Sequence, residues 1–227
     1  MMTTTIAPAA ATVALLLADA RLPSGGHAHS SGLEPALMGG MPPAAVGAFL
    51  LARARTTSLV DAGAAVVASR TAGVGPLAPV DEAWAARTPS RAMRVASRDL
   101  GRGLLRLADR VWPGSGAVAA LHEPPGPPPR PLVLGAIAAE AGIAPEELVR
   151  LAVYDDLASA VAALLKLDPR DPADGVGLVL AGCASIEARI PQLARARHPE
   201  DIPALSAPQA EAWAESHAVA QGRLFRG

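Results

Sequence analysis

The stretch at residues 15–34, LLLADARLPSGGHAHSSGLE, constrains the fold more than any other portion of the chain. An apolar helical start (Val13, Leu15, Leu16, Leu17) runs into Asp19 and Arg21, then breaks at Leu22-Pro23-Ser24-Gly25-Gly26. Proline fixes φ and removes a backbone donor, and paired glycines reach angles closed to other residues. A second segment begins at about Ser30 and carries Gly32, Leu33 and Glu34. A Gly-Gly bend bearing His27 and His29 between apolar segments is costly to keep unless its geometry is needed.

What packs around the bend follows from the core residues available. Hydrophobic residues make up 51% of the chain but aromatics only 3%, so the core is Ala, Leu and Val. Small side chains let helices approach closely, which favours helix on helix over a β-sandwich. The spacing predicts helices over residues 11–21, 31–38, 43–70, 81–87, 90–111, 132–141, 145–167, 173–189 and 208–221. Residues 71–80 and 191–203 read as irregular, and Gly47 and Gly63 as points of close helix approach. Residues 90–111 have the clearest amphipathic period, with Met93, Leu100, Leu104, Leu107 and Val111 on one stripe. Arg94, Arg98, Arg102, Arg106 and Arg110 recur every four residues on the other face. The run EPPGPPPRP at 123–131 is neither helix nor central strand, and reads as a long loop inside one bundle. The expectation is an all-α single domain, a bundle of roughly eight to ten helices. Residues 1–10 form a flexible tail, 11–221 the helical domain and 222–227 a C-terminal tail.

Three stretches resemble the urease accessory protein UreF family. The first is similar to its opening pattern L-x-x-A-D-x-x-L-P-x-G-[GA]-[FY]-x-[HY]-S-x-G-L-E. Leu15, Ala18, Asp19, Leu22, Pro23, Gly25, Gly26, His29, Ser30, Gly32, Leu33 and Glu34 match in order, and His27 departs from the usual aromatic. The second is Gly101-Arg102-Gly103-Leu104-Leu105-Arg106-Leu107, followed by 131–167 with Gly135, Ala138, Gly142, Glu146 and Lys166 in place. Beyond it, Asp168-Pro169-Arg170 departs from the family's P-L-G-Q. The third is the ending, His217 followed by Arg223-Leu224-Phe225-Arg226, with Ser216, Ala218 and Gly222 replacing Arg, Glu and Ser.

The residues exclude several chemistries and leave others open. No G-x-x-x-x-G-K-[ST] is present, and the glycines at 25–26 and 101–103 follow no strand, so the chain carries no phosphate-cradling loop. No G-x-S-x-G is present, and Ser30 beside His29 does not by itself place an imidazole on a hydroxyl. Asp155 and Asp156 point about 100° apart on a helix, which suits salt bridges better than paired catalysis. No catalytic set and no cofactor are expected. His27 and His29 are weak metal candidates, since imidazole suits nickel but no third ligand stands at helical spacing.

A net charge of −1 and the lack of stacking aromatics speak against nucleic acid. No apolar run approaches the roughly 18 residues of a membrane span, and no basic segment precedes residues 9–18 as a secretory signal requires. Lone Cys183, in an apolar run, reads as a small buried residue in a reducing compartment. With 18% charged residues and a mean hydropathy of +0.28, some apolar surface is expected to end in an interface.

The resemblance implies a non-catalytic, cytoplasmic, dimeric scaffold. It would bind UreD (UreH) and recruit the UreG GTPase to apo-urease for GTP-dependent nickel insertion. The expected partner-binding residues are Leu22, Pro23, Gly25, Gly26, His29, Ser30, Gly32, Glu34, Lys166, His217, Arg223, Leu224, Phe225 and Arg226, together with Arg94, Arg98 and Arg102 of the stripe, where like charges at i, i+4 repel and guanidinium groups suit a partner's carboxylates. Two other readings stand beside it. One is a GTPase-activating regulator of UreG acting through an arginine of the stripe. The other is an all-α interaction module unrelated to urease.

Overall fold

A computed structural model describes residues 8–222, 224 and 225. Among them no strand occurs. Twelve α-helical segments follow one another: α1 Ala10–Leu17, α2 Leu33–Met38, α3 Val46–Arg55, α4 Thr57–Thr71, α5 Ala78–Ala86, α6 Arg91–Val111, α7 Gly116–Ala119, α8 Arg130–Ala141, α9 Pro145–Leu167, α10 Pro172–Ala184, α11 Ile190–Leu193 and α12 Pro208–Ala218. Two of them, α7 and α11, are only four residues long. The all-α single domain is as the composition predicts.

The centre is α4, packed against α8 and α9. Its Leu59, Val60, Ala62 and Ala64 to Ala68 are buried, nearly without interruption, so it is a core helix rather than an amphipathic one. Small residues set the spacing. A Cβ on Gly135 of α8 would collide with the Ala65 carbonyl oxygen of α4. Gly63 does the same on the opposite side, where a Cβ would meet Pro203 at 2.6 Å.

The helix expected over 43–70 is two helices. Pro43 starts a 3-10 turn (Pro43–Ala45), and the chain breaks again at Thr56, with φ −125° and ψ −93°. The Thr56 hydroxyl donates to the Ala52 carbonyl at 2.7 Å, and a second β-branched residue follows. The first helix stops at Leu17, because Asp19 turns back to take the Arg21 N–H at 2.9 Å and its guanidinium at 2.8 Å. Residues 173–189 bend after Ala184 into a 3-10 turn (Glu187–Arg189) and α11, and the last helix ends at Ala218.

The boundaries of α6 fall where the sequence puts them. The Ser90 hydroxyl caps it, accepting from Met93 N–H at 3.2 Å, and donates to Glu215 of α12 at 2.7 Å. The proline-rich loop stays within the single domain. It crosses α6 at Gly101, where a Cβ would collide with the Pro128 carbonyl oxygen, and Arg98 donates to the Pro127 carbonyl at 2.8 Å. The loop ends at Pro129, and Arg130 is already helical.

One segment, Pro172–Leu193, is long and apolar enough to cross a membrane by length and composition, contrary to the expectation that none would be. Its regular portion, α10, has 13 residues and spans about 20 Å, short of a ~30 Å hydrocarbon core.

Candidate functional site

The bend at 22–34 rests on three supports. The first is α6. A Cβ at Gly103 would collide with the Ser24 carbonyl oxygen, so the loop backbone lies directly on the helix backbone. Gly101 and Gly103 therefore receive two different loops on one helix, which explains a G-R-G in a helix whose other residues favour helicity. The loop itself requires left-handed backbone at Gly25 (φ 86°) and Gly32 (φ 79°), with Ser31 between the two segments at φ 49°.

The second support is a charged cluster under Ser31 and Gly32. The Arg53 guanidinium makes two parallel bonds of 2.8 Å to Asp156. Asp156 also accepts from the Ser58 hydroxyl at 2.6 Å and from the Ser31 side chain. Its neighbour Asp155 pairs with Arg130 at 2.5 Å. The two adjacent aspartates thus serve separate salt bridges, as their helical spacing predicts. Burial pushes the Asp156 carboxyl up, but Arg53, Ser58 and Ser31 outweigh it and hold the group below its usual value. Asp155 is pushed up by burial, only partly countered by Arg130.

Asp61 adds a third carboxylate to these two guanidinium groups. It accepts from the Trp84 indole N–H at 2.7 Å. Burial raises it from 3.8 to about 6, opposed by the Trp84 bond, with Asp156 adding to the rise. Trp84 in turn lies under Arg98, whose guanidinium is 5.7 Å from the ring and salt-bridged to Asp81 at 2.7 Å.

The third support is the C-terminal segment. Glu34 is 3% exposed, and its carboxylate accepts three bonds: from His217 Nε2 at 3.0 Å, Leu224 N–H at 2.7 Å and Phe225 N–H at 2.9 Å. Phe225 is buried at 5% exposure, and the Lys166 ammonium stands 5.4 Å from its ring. Leu224 stays 64% exposed. Between this latch and Trp84 runs a cavity of about 380 Å³, lined by Arg53, Asp61, Arg130, Asp155, Lys166 and Phe225 among others.

Five of the expected partner-binding residues, Glu34, Lys166, His217, Leu224 and Phe225, therefore meet in one place. Leu22, Pro23, Gly25, Gly26, His29, Ser30 and Gly32 form the bend above it, with His29 and Ser30 buried and Ser30 Oγ accepting from Glu34 N–H at 3.2 Å. Arg223 and Arg226 lie outside the described residues, as does most of the expected flexible tail at 1–10. Ala10 already belongs to α1.

The arginine stripe divides. Arg94 donates to the Thr88 and Pro89 carbonyls at 2.6 and 2.8 Å, and Arg98 faces Asp81. Arg102 pairs along its own helix with Asp99 at 2.7 Å, and Arg106 and Arg110 are exposed. Among the described residues no group of three or more His, Cys, Asp or Glu side chains is placed to hold a metal ion.

Sequence reasoning missed Arg53, Arg130, Asp61 and Trp84. The available signal was Arg53 itself, an arginine standing among apolar positions of its helix.

These features define a helical protein in which Glu34 near one end of the described chain and Phe225 near the other meet on one central scaffold, with a glycine-dependent loop held against it. Known proteins give that class a family. The family model of UreF matches residues 42–182. The urease accessory protein UreF of Mycobacterium sp. (strain JLS) is 38% identical over 219 residues, covering 94% of this chain and 97% of the relative. The urease accessory protein UreF of Mycobacterium tuberculosis (strain ATCC 25177 / H37Ra) is 46% identical over 167 residues, 70% of this chain and 75% of the relative. That of Mycobacterium marinum is 42% identical over 166 residues, with the same coverage. The chain belongs to the UreF family of urease accessory proteins.

Proposed function

We propose that the chain is a non-catalytic scaffold of urease maturation in the cytoplasm. It binds UreD (UreH), recruits the UreG GTPase to apo-urease and supports GTP-dependent nickel insertion, working as a homodimer. Nickel is cargo of that assembly rather than a resident ion of this chain. Family membership carries this reading, and the latch at Glu34 supports it. A protein that commits a buried carboxylate and two backbone hydrogen bonds to seating Leu224 and Phe225 beyond its last helix presents a defined surface there, with Leu224 outermost. Residues 222–227 and the bend at 22–34 form that partner-facing surface on the helical domain.

The test is light scattering on size-exclusion fractions, with the chain alone and mixed with UreD and UreG from its own organism. A stable complex that takes up UreG in a GTP-dependent way supports the reading. Folded partners that leave the chain alone overturn it.

A further inference from the structure

The cavity between Trp84 and the C-terminal segment holds polar groups that a scaffold has no use for. Its volume of about 380 Å³ lies within the range of small-molecule sites. Much of its wall is apolar, with Ala96 and Leu100 from α6, Ala158 and Ala162 from α9, and the Trp84 and Phe225 rings. Arg53, Arg130, Asp61, Asp155 and Asp156 also line it, and their charges do not balance. Arg53 is committed to Asp156 by two bonds of 2.8 Å, and Arg130 to Asp155 at 2.5 Å. Asp61 forms no ion pair among the described residues, and accepts from the Trp84 indole N–H at 2.7 Å. Two other cations line the cavity but are engaged elsewhere. Arg87 donates to the Ala83 and Ile202 carbonyls at 2.9 and 2.7 Å, and the Lys166 ammonium stands against the Phe225 ring. Three carboxylates against two guanidinium groups leave the cluster one positive charge short. Burial holds the Asp61 carboxyl up at about 6, as expected of a carboxylate without a counter-charge of its own.

A second observation stands one helical turn away. Thr57 also lines the cavity, and its Oγ1 is buried with no hydrogen-bond partner among the described residues. A buried hydroxyl left so is costly unless a ligand meets it. Thr57 and Asp61 are four residues apart on α4, and so share one face of it. We infer that this cavity binds a small organic monocation, a protonated primary amine on a compact apolar body, with its N–H donors on Asp61 and Thr57 and its body against the alanines and the two rings. The charge deficit selects the cation. An anion meets a surplus carboxylate, and a neutral molecule of the same shape gains the apolar wall but leaves Asp61 unmatched. A metal ion fits poorly, because among the described residues no three His, Cys, Asp or Glu side chains are placed to hold one, and Asp155 and Asp156 are already held by guanidinium groups.

The full chain is titrated by calorimetry at about pH 8, where Asp61 and a primary amine are both charged. The probe is phenethylamine, with phenethyl alcohol and phenylacetate as its neutral and anionic counterparts. Phenethylamine is expected to bind once per chain, at least about tenfold tighter than either counterpart. Asp61→Asn is expected to remove that preference with helix content unchanged by circular dichroism. Ala96→Leu fills the cavity while leaving every charge in place, and is expected to weaken phenethylamine about tenfold or more. No binding of phenethylamine to the wild type overturns the inference. Equal binding of the three probes overturns it as well, since the cavity is then only an apolar one. Binding of the amine undiminished in Asp61→Asn places the cation elsewhere and overturns it. Nickel titrated alone, with a stoichiometric heat that Asp61→Asn abolishes, would overturn it in favour of a metal site.

Discussion

The Glu34 carboxylate accepts from His217 Nε2 at 3.0 Å across a separation of 183 residues. The bond lies in the interior, and the same carboxylate takes the backbone N–H groups of Leu224 and Phe225. One side chain near the start of the chain thus satisfies donors on the last helix and on the segment beyond it.

Replacing Glu34 by Ala leaves two buried donors, His217 Nε2 and the Phe225 N–H, and the half-buried Leu224 N–H without their acceptor. An unsatisfied buried donor costs about 1–3 kcal/mol, partly relieved here because the segment can undock into water. Glu34→Ala is therefore expected to lose about 3 kcal/mol in urea unfolding and to speed amide exchange at Leu224 and Phe225. Glu34→Gln keeps one acceptor oxygen and is expected to lose less. Unchanged exchange at 224–225 in the Ala variant would show that the latch does not hold the segment.

Gly103→Ala tests the seat of the loop on α6. On an exposed helical surface this change stabilises by about 1 kcal/mol. Here the new methyl group would collide with the Ser24 carbonyl oxygen, a backbone atom that cannot swing aside. The expected outcome is destabilisation by at least about 1–3 kcal/mol, as for overpacking, measured by thermal or urea unfolding. A stabilised variant would mean the loop does not press on the helix.

Such contacts mark the limit of what the sequence displays. Periodicity and caps placed α6, α8 and α9 closely, because Ser90, Gly142 and the acids at 146–147 act on their own neighbours in the chain. The break at Thr56 escaped the same reading, since residues on both sides are apolar at helical spacing and the interruption is a side-chain bond. At the site, the motif residues around Glu34, His217 and Phe225 were visible one by one. That they share one carboxylate was not, because nothing local at position 34 says that position 217 is near. The pairing of Arg53 with Asp156 was hidden for the same reason, being 103 residues apart.

Asp61 gives the fold a pH dependence with a definite sign. Its carboxyl is raised from 3.8 to about 6 by burial, so the folded state holds the proton more tightly than the unfolded state. Stability from this group is present below about pH 4 and is lost as pH rises through about 6. Asp61→Asn removes the charge while its amide oxygen still accepts from Trp84. Arg53 and Arg130 lose an attractive neighbour and Asp156 a repulsive one. The variant is expected to exceed the wild type by on the order of 1–3 kcal/mol above pH 7, with the gap closing toward pH 4. Urea midpoints at pH 4, 6 and 8 measure it. A gap independent of pH would show that Asp61 is already well solvated.

Removing residues 223–227 separates the latch from what the latch presents. Glu34 then loses the Leu224 and Phe225 bonds but keeps His217, and it lies nearer to solvent, so it is rehydrated rather than stranded. Lys166, already exposed, loses only its contact with the Phe225 ring. Helix content is therefore expected to stay within error of the full chain, with a stability loss of about 1–3 kcal/mol from the uncovered Phe225 site. Binding to UreD, measured by titration calorimetry, is expected to fall at least about tenfold if Leu224 and its neighbours form the contact. Leu224→Ala isolates the exposed side chain, because its backbone bond to Glu34 survives. A truncated chain that binds UreD as tightly as the full chain would confine the C-terminal segment to an internal role and move the partner surface to the bend at 22–34.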